Sequence, residues 1–309
     1  MPASTFAADI DPLYTFLFAT SLFFFGLILA ILLYSIVRYR RKHADQPAAN
    51  NTTHNTALEV VWTLIPTVIV MVVFAWGLVG NMDQQVAPKD AIGYTVRAKK
   101  WAWGIIHPGD AKQTPAEMWV PEGKPVRVTM TSEDVLHSFY VPAFRQKRDV
   151  VPGVRQILWF EVPEGQGFAG QDFHLFCAEY CGDQHSKMAG TVHVVSQEEF
   201  ANEPWKGGLP DDPVARGEYW YTKAGCLACH SLDGSRRVGP SYQGIWGREG
   251  KLVDGSSYKV DADYVKESIR QPQAKIVDGY AGVAMTAYDE SALSDDDIAD
   301  IIEWMKTLK

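Results

Sequence analysis

Cysteine is scarce in this chain, with four among 309 residues: Cys177, Cys181, Cys226 and Cys229. That excludes a disulfide-rich scaffold. It leaves two close pairs, C-x-x-x-C and C-x-x-C, for a local disulfide or for metal or cofactor chemistry. A basic excess is missing too. The net charge of −8 argues against nucleic acid as a partner. Between Asp211 and Lys309, 17 acids face 12 bases, which favours a basic or neutral docking partner for that part. Charge is absent from Leu13–Val37 (25 residues) and from Val60–Met82. No histidine follows His230.

The two uncharged runs read as membrane spans. The first would reach roughly 37 Å as a helix, enough to cross a bilayer with some tilt. A secretory signal is the alternative. Met1–Pro12 carries no basic residue, however, and the run exceeds the ~7–15 residues of a signal core. Pro66 is expected near the start of the second helix, where proline is best tolerated. Between the runs stand Arg38, Arg40, Arg41 and Lys42, which mark the loop as cytoplasmic and put both termini on the outer side.

From Gly93 to about Ser196 the pattern becomes period-two. Val126, Val128 and Met130 alternate with Arg127 and Thr129; Leu158, Phe160 and Val162 repeat the pattern, as do Thr191, His193 and Val195 against Val192 and Val194. Pro/Gly pairs separate the runs. This predicts an antiparallel Greek-key β-sandwich or barrel.

Within it, C-A-E-Y-C-G-D-Q-H-S-K-M, Cys177–Met188, offers two thiolates, an imidazole and a thioether in twelve residues. Such donors suit copper or zinc, not calcium or magnesium. A second imidazole is expected from His137, at a strand end opening a loop. His174 and His193 read as packing or surface residues. A Cys177–Cys181 disulfide or a structural zinc site are the alternatives. Met188 is surplus to zinc and tips the reading to copper.

This segment resembles the binuclear CuA loop of cytochrome c oxidase subunit II. The resemblance implies a cupredoxin-like fold in which Cys177 and Cys181 bridge two coppers. His137 and His185 then supply imidazoles, Met188 a thioether and Glu179 a main-chain carbonyl. It also implies that the Glu179 side chain helps hold a magnesium ion shared with subunit I. W-A-W at Trp101–Trp103 resembles the family's aromatic segment, which makes Trp101 the candidate point where electrons arrive; a buried strand residue is the alternative. A-L-E-V-V-W-T-L-I-P at Ala57–Pro66 resembles the family's second span and makes Glu59 a candidate for the mouth of a proton channel in subunit I. K-R-D-V-V-P-G, Lys147–Gly153, also matches, but Val154 follows where the family usually has arginine, with Arg155 one place later.

After the Gly/Pro/Asp-rich stretch Lys206–Pro213 comes G-C-L-A-C-H, Gly225–His230. C-x-x-C-H is the haem c attachment pattern, with Cys226 and Cys229 forming thioethers and His230 the proximal ligand. The sixth ligand should be a later methionine. Ile298, Ile301, Ile302 and Met305 fall at helical spacing behind a capping box of Ser294 and Asp297, so Met305 is assigned to the core and Met285 to the iron. The segment resembles class I cytochromes c, including Ala215-Arg216-Gly217 and Gly239-Pro240, though Met-Thr replaces the usual Met-Pro.

The expected architecture is a multidomain membrane protein. Residues 1–90 form a two-helix transmembrane hairpin (spans about 13–37 and 60–82). Residues 91–203 form a cupredoxin-like Greek-key β-sandwich, 204–213 a linker and 214–309 an all-α class I cytochrome c domain. The resemblance implies subunit II of a proton-translocating caa-type oxidase in a bacterial inner membrane. Its expected partners are haem–copper subunit I, subunit III, membrane lipid and a one-electron donor such as a cytochrome. A CuA-containing nitric oxide reductase subunit and a membrane-anchored electron shuttle are the alternatives.

Overall fold

The computed structural model describes residues 2–43, 45–47, 52–110, 113–207, 209–283 and 285–309. Parts of the loop between the spans (44 and 48–51), and residue 208 of the expected linker, lie outside the described residues.

Helices α1 (Thr5–Arg38) and α2 (Thr56–Gln85) contain the two uncharged runs, and both are long and apolar enough to cross a membrane. Their apolar side chains, such as Phe23, Phe25, Val70 and Phe74, point outward. Such a surface is stable only in an apolar solvent. Asn55 caps α2 by accepting the Leu58 N–H at 3.2 Å, while Glu59 accepts the Asn55 N–H at 3.2 Å. Pro66 lies well inside α2 and not in its first turn, because the cap at Asn55 starts the helix earlier than the uncharged run does.

Residues Ala87–Lys309 belong to one compact unit. Its first part holds ten strands: β1 (Ile92–Lys99), β2 (Ala102–Ile106), β3 (Gln113–Pro115), β4 (Glu117–Pro121), β5 (Pro125–Ser132), β6 (His137–Val141), β7 (Gln146–Val150), β8 (Gln156–Glu161), β9 (Gln171–Cys177) and β10 (Ala189–Val195). They form two five-stranded sheets, ordered β3-β2-β1-β5-β8 and β4-β10-β9-β6-β7. The alternation seen in the sequence fixes which faces meet: Val126, Val128, Met130, Leu158, Phe160, Val192 and Val194 are all buried. The sandwich is not purely antiparallel. β1 pairs parallel with β5, and β4 with β10, because the chain leaves one sheet for the other between β3 and β4.

His107 anchors one end of this core. It is 2% exposed, and its Nε2 accepts the Trp119 N–H at 3.1 Å. Trp205, after helix α3 (Gln197–Ala201), stacks on its ring at 4.6 Å. Burial holds the imidazole neutral, its pKa pulled down to about 3.

The second part carries α4 (Pro213–Lys223), the short α5 (Cys226–Cys229), the hairpin β11 (Glu249–Lys251) with β12 (Ser257–Lys259), α6 (Ala262–Arg270) and α7 (Asp295–Met305). The expected capping box of Ser294 and Asp297 starts α7. Helices α4 and α7 cross closely because residue 217 is glycine: a Cβ there would strike the Asp300 carbonyl and the Trp304 side chain. Arg216 clasps Asp300 with two hydrogen bonds of 2.6 and 2.8 Å. The two-stranded hairpin is an addition to the expected helices.

Candidate metal and haem centre

The end of β9 and the loop after it bring most of the predicted copper donors together. Cys177 Sγ and Cys181 Sγ are 3.8 Å apart and not joined as a disulfide. His185 Nδ1 lies 3.4 Å from Cys181 Sγ, and Met188 Sδ lies 3.9 Å from it. The Glu179 carbonyl oxygen is 3.2 Å from Cys177 Sγ. His137 completes the group, with Nδ1 3.9 Å from Cys177 Sγ and no exposed surface. It does not open a loop: the loop is 133–136, and His137 begins β6, paired with Val150.

The electrostatics favour cations here. The Cys181 thiol, hydrogen-bonded to Cys177, stabilises the Cys177 thiolate and pulls its pKa down to about 3. That same bond, with burial, pushes the Cys181 thiol up. Two adjacent thiolates repel, so both lose their protons only when metal charge neutralises them. Burial works against a charged His137, but hydrogen bonds to the Asp134 carboxylate and to Cys177 outweigh it and raise its pKa. Because the carboxylate only accepts, His137 Nε2–H donates to Asp134 Oδ1 at 2.8 Å and leaves Nδ1 free for a metal. The donor set fits a soft or borderline metal pair.

The predicted haem residues line one cavity: Cys226, Cys229, His230 and Met285, with Pro240, Tyr242 and Ile269 among the other walls. Both thiols are free, and burial pushes Cys226 up to about 12 and Cys229 to about 11. His230 Nδ1–H donates to the Pro240 carbonyl at 2.7 Å, so Nε2 is the nitrogen left free for a ligand. Gly239 makes room for this ring, since a Cβ there would stand 2.5 Å from His230 Cε1. Met305 is buried in the helical core, as expected, and also reaches the cavity wall. The residues present, two thiols, an imidazole and a thioether around one cavity, fit a haem.

Trp101 touches both places. It lines the haem cavity, and its indole faces Gly182, directly after Cys181, so closely that a Cβ at 182 would lie 3.1 Å from the ring. The turn that carries Trp101 is packed against the helical part. Thr286 Oγ1 donates to the Lys100 carbonyl at 3.3 Å, and the Lys99 ammonium stands 3.4 Å from the Tyr288 ring centroid. Gln113 N–H donates to the Ser291 carbonyl at 2.9 Å. Lys223 and Tyr219 both bond Glu117. Sequence reasoning missed these contacts, which join residues 81 to 189 positions apart.

Other predicted residues lie elsewhere. His174 is exposed on β9, and His193 stacks on Trp119 and bonds Asp172, so neither joins the donors. Val154 is exposed.

Three protein families match successive segments of the chain. The transmembrane domain of cytochrome c oxidase subunit II matches residues 1–78, its periplasmic domain residues 106–195, and cytochrome c residues 214–309. Cytochrome c oxidase subunit 2 of Alkalihalophilus pseudofirmus is 27% identical over 296 residues, covering 91% of this chain and 82% of the relative. The Cereibacter sphaeroides protein of the same name is 32% identical over 209 residues, 55% of this chain and 67% of the relative. A probable subunit 2 from Streptomyces coelicolor is 29% identical over 246 residues, covering 64% and 73%. Fold and sites define a membrane-anchored copper and haem electron-transfer protein. The chain belongs to the cytochrome c oxidase subunit II family, in the form that carries a C-terminal cytochrome c domain, and is a component of an oxidoreductase complex.

Proposed function

We propose that electrons enter this subunit at a covalent haem c, pass to a binuclear copper centre and go on to haem–copper subunit I, where oxygen is reduced. The observation that carries this is the position of Trp101, in the wall of the haem cavity and against the glycine beside Cys181. When bound, the two metal groups supply one-electron carriers of little reorganisation.

The chain's own residues do the remaining work. Cys226 and Cys229 would attach the haem, with His230 and Met285 as its iron ligands. Cys177, Cys181, His137, His185, Met188 and the Glu179 carbonyl would hold the copper pair. Trp101 spans the gap between them. The donor is a one-electron carrier, and the acid excess of Asp211–Lys309 suits a neutral or basic one. The basic loop after α1 supports termini outside a bacterial inner membrane, with lipid around α1 and α2.

The Glu179 side chain is a magnesium candidate shared with subunit I. Glu59 is a candidate for the proton-channel mouth. Its bond to Asn55 N–H gives it a second task in starting α2, so Glu59→Gln must be judged by proton uptake and not by assembly alone.

The test uses the purified complex: two coppers and one covalent haem per chain are expected from metal analysis and absorption spectra. Trp101→Leu should then slow reoxidation of the reduced haem by copper while both spectra persist. An unchanged rate removes Trp101 from the route, and turnover with nitric oxide but not oxygen overturns the oxidase assignment.

A further inference from the structure

Asp134 belongs to neither set of donors, yet its carboxylate reaches toward both. Oδ1 accepts His137 Nε2–H at 2.8 Å and Val135 N–H at 2.6 Å. Oδ2 accepts Lys100 N–H at 2.7 Å. Lys100 is bonded in turn to Thr286, the neighbour of Met285, and precedes Trp101 in the chain. A closed circuit results: His137, Asp134, Lys100, Trp101, Gly182, Cys181 and, through Cys177, back to His137.

We infer that Asp134 is a positioning residue for both centres, one oxygen orienting the His137 imidazole and the other holding the turn that presents Trp101. An orphaned donor on either side would be costly. His137 is fully buried, so without the carboxylate its Nε2–H loses the acceptor that fixes the ring's tautomer. Lys100 N–H would lose the bond that fixes the turn from the sandwich side, leaving Thr286 to hold it from the other.

The two oxygens can be separated by substitution. In Asp134→Asn the single amide oxygen keeps most bonds by staying with His137 and Val135. The amide NH2 then faces Lys100 N–H, donor against donor, so only the Lys100 link breaks. Asp134→Ala breaks both.

The proposal rests on the copper assignment above, and the experiment separates the two. In the purified complex, Asp134→Ala should hold copper about 10- to 100-fold more weakly. Its copper EPR spectrum should change, with the haem absorbance intact. Asp134→Asn should keep two coppers and a near-native spectrum. Its Lys100 amide should exchange about ten-fold faster in hydrogen-exchange mass spectrometry, the scale of one lost hydrogen bond, and haem-to-copper transfer should slow. Parental copper affinity and spectrum in Asp134→Ala, or parental Lys100 exchange in Asp134→Asn, overturns the inference. A parental complex without copper overturns the copper assignment instead, and the Lys100 arm still decides whether Asp134 ties the turn. If Asp134→Ala does not assemble, the Asn variant carries the test.

Discussion

The copper donors and the haem walls differ in how much of each site the polypeptide builds by itself. His137, Cys177 and Cys181 place their ligand atoms within 4.8 Å of one another, the first two at the ends of β6 and β9 in one sheet and the third in the loop after β9, with Asp134 holding His137. The haem residues instead surround a hollow: Met285 and His230 face it from separate segments, and Tyr242 and Ile269 line it. A small metal pair completes a site that neighbouring packing already shapes. A macrocycle has to fill a hollow on one side of the helical core. The sandwich should therefore tolerate loss of its cofactor, and the cytochrome part should not.

The largest effect expected from this contrast comes from Cys226→Ser with Cys229→Ser. Without the macrocycle, α6, the Met285 loop and Met305 of α7 lose the body that fills the cavity between them, and the α4–α7 pair packed on them should follow, at a cost of most of the roughly 5–15 kcal/mol that holds an ordinary domain. Hydrogen exchange should show α4, α6 and α7 unprotected and β1–β10 still protected. Equal loss in both parts would break the comparison.

Acid should reverse the ranking. The folded pKa of His107, about 3, lies below its unfolded value of 6.5. Its contribution is complete above pH about 6.5 and disappears as pH falls toward 3, at roughly 1.4 kcal/mol per pH unit and about 5 kcal/mol in all. Protonation also turns Nε2 from acceptor to donor against the Trp119 N–H. Denaturant midpoints of the sandwich should fall over that window, and a His107→Gln variant should flatten the slope.

Gly217→Ala forces a methyl against the Asp300 carbonyl and Trp304, and should cost about 1–3 kcal/mol of cytochrome stability with the sandwich unaffected. The smallest effect on folding should follow Cys181→Ser. The copper spectrum should vanish, while the unfolding midpoint of β1–β10 shifts only by the lost metal linkage. A collapse of the sandwich in that variant would show that the donors are not held by packing alone.

Much of this was legible in residue order. The two spans, the alternation of β5, β8 and β10, the Cys177–Met188 loop and the C-x-x-C-H motif are local patterns. The choice of Met285 over Met305 came from helical spacing alone, and the cavity now lies against both side chains. What sequence could not show is what depends on register between distant strands. His137 begins a strand because it pairs with Val150, and β1 runs parallel to β5 because the chain changes sheets between them. Pro66 sits deep in α2 because Asn55, a polar cap outside the uncharged run, sets the start. The two faces of Trp101 and the two oxygens of Asp134 arise only when β1, β2, β6 and the Met285 loop meet.

The contact between the helical part and the sandwich includes a main-chain bond from Gln113 to Ser291 and a buried Lys99 over Tyr288, not only exposed ion pairs. Kinetically, that makes the inner transfer a first-order event with a fixed rate constant. Ionic strength and donor concentration then act on one step alone, the outer collision at the haem. Saturation curves of the whole complex measure how that collision is won, and they carry no information about how the charge travels inward.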